Sequence, residues 1–234
     1  MKLAIIPARG GSKRIPRKNV REFAGKPIIA HSIGAALQSG VFDRVVVSTD
    51  DEEIAAVARE WGAETPFVRP ARLADDHTGT NAVVRHVLGW FAEQGEAYDY
   101  ACCIYATAPF VQPRFIRQGL ALLEGSAQSF AFSVTSFPFP IQRAIRIDEQ
   151  GRIGAMHPEY AGTRSQDLEE AFHDAGQFYW GRSRAFLDDV PLFSSASLPV
   201  VLPRHLVQDI DTHEDWLRAE HMYRALQLAG EISA

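Results

Sequence analysis

The sequence predicts an α/β protein built on a doubly wound, mostly parallel sheet. Short β-branched runs alternate with segments of helical spacing, and the first run stops at a glycine-rich, cation-rich loop. In open α/β sheets such a loop lies at the carboxyl end of the strands, where ligands bind.

The elements follow in order. Leu3–Ile6 is a short apolar run that ends at Pro7. From Pro27 to Gln38, Ile28, Ile29, Ile33, Ala36 and Leu37 recur at helical spacing, and Gly40 supplies a stop. Arg44–Ser48 is β-branched, and Asp51–Trp61 reads as a helix with acidic residues in the first turn, where the helix dipole favours them. Thr80–Gln94 and Pro113–Glu124 are further helices, with Tyr98–Tyr105 and Phe130–Thr135 as strands. The pattern then breaks. Prolines and glycines crowd residues 136–172, which reads as an arm inserted into a single domain spanning 1–234. Periodicity resumes at Gln177–Trp180 and Leu198–Leu202, and a last helix runs from about Thr212 to Leu228.

Composition narrows the function. With 46% hydrophobic and 23% charged residues the chain can build a core, which excludes a disordered protein. No apolar run approaches the roughly 20 residues that span a bilayer, so a cytoplasmic protein without a membrane partner is expected. Adjacent Cys102 and Cys103 point to opposite faces of a strand and read as small core residues. Residues 1–26 hold eight Lys/Arg and one Glu, whereas the remainder holds 16 Lys/Arg against 28 Asp/Glu. A basic patch on an acidic body, with a pI near 5.9, suits a small anionic ligand and not nucleic acid.

That patch is the loop Pro7-Ala8-Arg9-Gly10-Gly11-Ser12-Lys13-Arg14-Ile15-Pro16-Arg17-Lys18-Asn19. Paired glycines let backbone N–H groups approach a polyanion, and Ser12 adds a hydroxyl donor. Arg9, Lys13, Arg14, Arg17 and Lys18 offer charge-assisted hydrogen bonds to phosphate oxygens. It is not a P-loop, because Gly25-Lys26 is followed by Pro27, and it lacks the third glycine of a dinucleotide fingerprint. A solvated surface loop is the competing reading.

Ala8-Arg9-Gly10-Gly11-Ser12-Lys13, with Lys18-Asn19 and Gly25-Lys26-Pro27, resembles the signature of the CMP-sugar synthetases, and the resemblance covers nearly the whole chain. Within them, Ser133 to Pro138 and His173 to Gly181 look closest to the enzymes for pseudaminic acid. The resemblance implies a Rossmann-like nucleotidyltransferase fold, and a homodimer joined through the arm. It implies transfer of CMP from CTP to the anomeric hydroxyl of a nonulosonic acid, with Mg²⁺ as cofactor. Ala8, Arg9, Gly10, Gly11, Ser12, Lys13, Lys18 and Asn19 would bind CTP, with Lys13 having the largest single effect on rate.

Gln208-Asp209-Ile210-Asp211 sets two carboxylates on one face of an extended segment, with Ile210 turned inward. Mg²⁺ takes oxygen ligands, and the resemblance puts the metal on Asp209 and Asp211. Asp211 is alternatively a cap for the last helix. Asp50-Asp51 is a competing acidic pair that also suits the start of a helix. Asp75-Asp76, followed by His77-Thr78-Gly79-Thr80, resembles the segment that reads the pyrimidine, with Thr80 the contact or else an N-cap.

For the acceptor's carboxylate, Arg164 with Gln166 resembles the family's Arg-x-Gln, and Gln142-Arg143 is a second candidate; an Arg fork is bidentate where Lys is not. Gln177 or Tyr179 would line the sugar pocket, while Trp180 packs. Tyr105-Ala106-Thr107 departs from the Gln-Pro-Thr of sialate synthetases, which favours a different acceptor. N-acylneuraminate, legionaminate and 3-deoxy-octulosonate are the alternatives. A molybdopterin guanylyltransferase or a non-catalytic nucleotide-binding module stand further off.

Overall fold

A computed structural model describes residues 1–75 and 78–232. Strand β1 (Lys2–Pro7) enters the first loop. A tight hairpin, β2 (Glu22–Phe23) and β3 (Lys26–Pro27), then leads into helix α1 (Ile28–Ser39). The hairpin turns on Ala24 and Gly25, at φ 50° and 90°, the left-handed pair that a two-residue turn needs. Next come β4 (Arg44–Ser48), α2 (Glu52–Glu60), α3 (Thr80–Glu93), β5 (Tyr100–Ile104), α4 (Pro113–Glu124) and β6 (Phe130–Ser136). The arm carries the hairpin β7 (Ile145–Ile147) and β8 (Ile153–Ala155). Then β9 (Phe172–Arg182), α5 (Ser183–Leu187), β10 (Ser197–Val201) and α6 (His213–Leu228) complete the chain.

The main sheet has the order β10-β6-β9-β5-β1-β4. β4, β1 and β5 run parallel, as do β10 and β6, while β9 is antiparallel to both neighbours. That reversal follows from the arm: a chain that leaves the end of β6 and returns beside it must run backwards. β9 therefore starts at Phe172, five residues before its apolar alternation becomes visible at Gln177. The early part pairs with β6 through a register shift between Phe132 and Val134, next to Gly176 at φ 62°. A bulge interrupts the period of two.

Leu3, Ala4, Ile5 and Ile6 are completely buried because β1 is central and covered on both faces. Cys102 and Cys103 fall in different clusters on opposite sides of the sheet, as adjacent strand residues must. Trp180 packs as expected, donating to the Ile116 carbonyl at 2.8 Å and stacking on Phe42. A third cluster lies off the sheet and joins Ile15, Phe23, Ile28, Phe110, Ile210, Trp216 and Tyr223. It packs the first loop, the β2–β3 hairpin and α6 into one unit.

One capping expectation holds and two change. Asp51 caps α2 as expected, accepting from the Ile54 N–H at 3.0 Å. Asp211 does not cap α6: Thr212 does, in a capping box with Asp215. Thr80 is likewise the first residue of α3 and not its cap, which is Gly79. Among the described residues no helix is long and apolar enough to cross a membrane.

Candidate active site

The first loop leaves β1 by extending its ladder, with the Ala8 N–H on the Ser48 carbonyl at 2.9 Å. The Gly10 N–H then donates to Asp50 Oδ1 at 3.0 Å. A Cβ on Gly10 would lie 2.7 Å from Asp51 Oδ2, so the glycine is required by close approach to α2. Buried Asn19 donates to the Arg9 carbonyl at 2.9 Å and ties the two ends of the loop together. Asp50 and Asp51, the competing acidic pair, are thus occupied in holding the loop and the helix.

Arg17 departs from the expected phosphate ligands. It sits at φ 56° and turns its guanidinium onto Asp51, at 2.6 and 3.0 Å, and onto Glu53. This bidentate pair draws the Asp51 pKa down to about 2. The remaining loop side chains converge. Arg9, Ser12, Lys13, Arg14, Lys18 and Asn19 line one cleft of about 300 Å³ at the carboxyl end of the sheet. Ala8 is buried under the loop, and Gly10 and Gly11 form its turn.

The opposite wall comes from the segment before α3 and from the end of β5. Thr78, Thr80, Tyr105, Ala106 and Thr107 line it, and the Arg9 guanidinium bonds the Asp75 carbonyl at 2.7 Å. Asp76 and His77, expected beside the pyrimidine, lie outside the described residues. Thr80 Oγ1 lies 3.4 Å from the Tyr105 hydroxyl.

Arg69 also lines the cleft, though no motif or spacing singles it out. It is 4% exposed, and it donates to Ser48 Oγ at 3.1 Å and to the Ser48 and Leu73 carbonyls. Burial lowers its pKa to about 10, so it stays charged. Among the described residues its hydrogen bonds go to neutral oxygens, and a buried cation adds positive potential to the floor of the cleft. An isolated arginine outside a motif reads as a surface residue, and Val-Arg-Pro carries no periodic signal.

The Asp209–Asp211 segment does not line the cleft but touches two side chains that do, Arg14 and Lys18. Ile210 is fully buried in the third cluster, which leaves the flanking aspartates turned outward as the period of two requires. Asp211 accepts from Arg14 at 2.7 Å and lies 3.5 Å from Lys18, both lining the cleft. Asp209 keeps part of its surface in solvent, yet the packing around its carboxyl and then the neighbouring Asp211 raise its pKa. Two carboxylates two residues apart, offering hard oxygen donors only, fit a divalent cation such as Mg²⁺. Among the described residues no group of three or more His, Cys, Asp or Glu could hold a metal, so this pair offers two protein ligands.

The acceptor candidates lie elsewhere. Arg164 is exposed on the arm and paired with Asp167 at 2.7 Å, and Gln166 lies beside it, also exposed. Gln142 bonds the Glu169 carbonyl and Arg143 the Thr163 carbonyl, so both brace the arm internally. None of the four lines the cleft. Buried Gln177 donates to the Leu206 carbonyl at 2.5 Å. Tyr179 donates to Asp174 Oδ2 at 2.6 Å and borders a second cavity next to the cleft.

A cation-lined cleft at the strand ends of a doubly wound sheet, with a carboxylate pair bonded to two of its cations, defines a protein that handles nucleotide phosphates. Residues 3–143 match the family model described as cytidylyltransferase. The pseudaminic acid cytidylyltransferase of Campylobacter jejuni is 46% identical over 95% of this chain and 96% of its own length. The CMP-N,N'-diacetyllegionaminic acid synthase of Legionella pneumophila is 34% identical over 97% and 98%. A CMP:2-keto-3-deoxy-manno-octonic acid synthetase solved in complex with CTP shares the fold, at a TM-score of 0.69 and 17% identity over 96% and 98%. The chain belongs to the cytidylyltransferase family, and it is a nucleotidyltransferase that uses CTP.

Proposed function

We propose that the chain transfers CMP from CTP to the anomeric hydroxyl of a nonulosonic acid, and that pseudaminic acid is its acceptor. The observation that carries the reading is the convergence of Arg9, Ser12, Lys13 and Lys18 on one cleft beside Asp209 and Asp211. The relative at 46% identity supports the choice of sugar. The N,N'-diacetyl name of the legionaminic relative supports an acceptor bearing acylamino groups.

In this reading Arg9, Ser12, Lys13 and Lys18 bind the triphosphate, with Gly10 and Gly11 letting the backbone come close and Asn19 fixing the loop. Ala8 supports the loop from below, Thr80 faces the base side, and Arg69 adds charge beneath. The anomeric oxygen attacks the α-phosphorus in line. One P–O bond forms, the bond to pyrophosphate breaks, and the hydroxyl proton leaves to solvent. Lys13 and Arg9 stabilise the charge that moves onto the leaving pyrophosphate, so the residues act by position and electrostatics. Asp209 and Asp211 would hold Mg²⁺, which when bound supplies charge neutralisation at the phosphates.

The arm joins two copies. Its hairpin leaves Ile147 and Ile153 70% and 71% exposed, and Phe139, ahead of the hairpin, is 79% exposed. Arg164 and Gln166, with Gln142 and Arg143, stay on the acceptor side of this reading, and Gln177 and Tyr179 back the same region. CTP supply places the enzyme in the cytoplasm. Pyrophosphate release with CTP, Mg²⁺ and a panel of pseudaminate, legionaminate, N-acetylneuraminate and 3-deoxy-octulosonate tests the function. Release with pseudaminate, lost in Asp209→Ala and Lys13→Ala, supports it. Release with another sugar alone changes the acceptor, and silence in a protein that binds CTP removes the transfer.

A further inference from the structure

Asp209 sits on a short stretch of chain that is held at both ends. Leu206 and Ile210 are fully buried in the third cluster, and the carbonyl of each accepts a side-chain hydrogen bond. Lys18 of the first loop bonds Ile210, and the Gln177 amide on β9 bonds Leu206 at 2.5 Å. These two clamps bracket Val207, Gln208 and Asp209. A single turn of helix ends at Leu206, and the chain from Val207 to Thr212 is neither helix nor strand. No backbone ladder fixes the carboxylates there, so the two anchored carbonyls do.

Gln177 is tied to the cleft as well. It lies inside the register shift of β9, between Asp174 and Tyr179, the partners of Val134 and Phe132. Its own carbonyl accepts from the Tyr105 N–H at 2.9 Å, and Tyr105 lines the cleft. One residue thus holds the cleft wall through its backbone and the Asp209 stretch through its side chain. Gln177 is 3% exposed, and its amide oxygen has no hydrogen-bond partner among the described residues. A buried amide with one group unpaired stabilises a core poorly, because Met fills similar space without that desolvation cost. What its N–H₂ group holds accounts for its presence.

Taking the transfer reading and its Mg²⁺ site as a basis, we propose that Gln177 is a positioning residue for Asp209 and Asp211. Its bond to the Leu206 carbonyl sets how far the two carboxylates stand from the nucleotide cleft, and its side chain does not touch the acceptor.

The test uses the full chain, Gln177→Met and Gln177→Glu. Mn²⁺ serves as the probe, its binding in the presence of CTP read by electron paramagnetic resonance, beside steady-state pyrophosphate release and thermal unfolding. Contacts that orient metal ligands are worth about 10–100-fold in metal affinity or activity. Gln177→Met should therefore weaken Mn²⁺ binding about tenfold or more and lower kcat, with acceptor KM changed less than about threefold and the thermal midpoint within a few degrees. In Gln177→Glu only the protonated acid can donate to Leu206, so its activity relative to wild type should recover as pH falls from about 8 to about 6. Unchanged Mn²⁺ binding and kcat in folded Gln177→Met overturns the proposal. A rise in acceptor KM with Mn²⁺ binding intact makes Gln177 a sugar ligand and overturns it too, as does a flat activity ratio for Gln177→Glu or a loss of binding that only follows unfolding. A wild type that binds Mn²⁺ with CTP but turns over no acceptor sinks the transfer reading, and Mn²⁺ binding by the variants still decides this proposal. A wild type that releases pyrophosphate but binds no Mn²⁺ sinks the proposal and leaves the transfer standing.

Discussion

The Lys18 ammonium donates to the Ile210 carbonyl at 2.6 Å, across 192 residues of chain. The contact joins the first loop to the segment that carries Asp209 and Asp211, and it rests on Ile15 and Ile210, which are buried in one cluster. Burying each such side chain contributes about 1.5–3 kcal/mol, so the apolar pair supplies the rigidity and the lysine sets the spacing.

Replacing Lys18 by Ala should therefore act on both the loop and that segment. We expect kcat/KM for CTP to fall about 10²-fold, which is near 2.7 kcal/mol of transition-state stabilisation, measured by pyrophosphate release. A loss of stability without a change in kcat/KM would make the contact purely structural.

The two loop glycines should respond differently. In Gly10→Ala the new Cβ meets the Asp51 side chain at 2.7 Å, whereas at Gly11 nothing lies within 4 Å. Gly10→Ala should lower stability by about 1–3 kcal/mol and weaken CTP binding, whereas Gly11→Ala should weaken CTP binding and leave stability nearly unchanged. Thermal unfolding distinguishes the two variants, and CTP titration checks both.

Acid should release the clamp between the loop and α2. Arg17 holds Asp51 down from 3.8 to about 2, so the folded state binds this proton less readily than the unfolded chain. The stabilisation is complete above about pH 4 and is lost as pH falls through 2; for this partly exposed pair it is about 1 kcal/mol. Asp51→Asn keeps a capping side chain but not the charge. Its deficit in urea unfolding should be present at pH 6 and should close as pH approaches 2.

The arm offers a test of assembly. Ile147 and Ile153 sit across from each other in the β7–β8 ladder, with most of their surface in solvent. Exposed apolar area of this kind marks an interface. Changing both to Asp should convert a dimer to a monomer in light scattering while leaving the thermal transition within a few degrees. A wild type that is already monomeric would remove the arm as the joining surface.

Most main-sheet elements were legible because their signals are local. β4 and α4 begin and end where their β-branched run and their proline-led helix predict. The start of β9 was not, since His173-Asp174-Ala175-Gly176 has no apolar alternation and only its partner β6 makes it a strand. The phosphate-facing loop could be read from charge density, but which of its cations face the cleft could not. Arg17 is turned away by Asp51, 34 residues on.

Sequence by itself determined the βαβ alternation, the cation-rich loop after the first strand and the Asp-x-Asp spacing around an inward Ile210. Each is set by neighbours in the chain, through side-chain period, backbone freedom at glycine and charge. Tertiary structure decided the rest: Arg69 beneath the cleft, Thr212 in place of Asp211 as the helix cap, and the Gln177 amide on the Leu206 carbonyl. These depend on which distant groups arrive beside a residue, and burial, pairing and desolvation have no local period that a sequence could display.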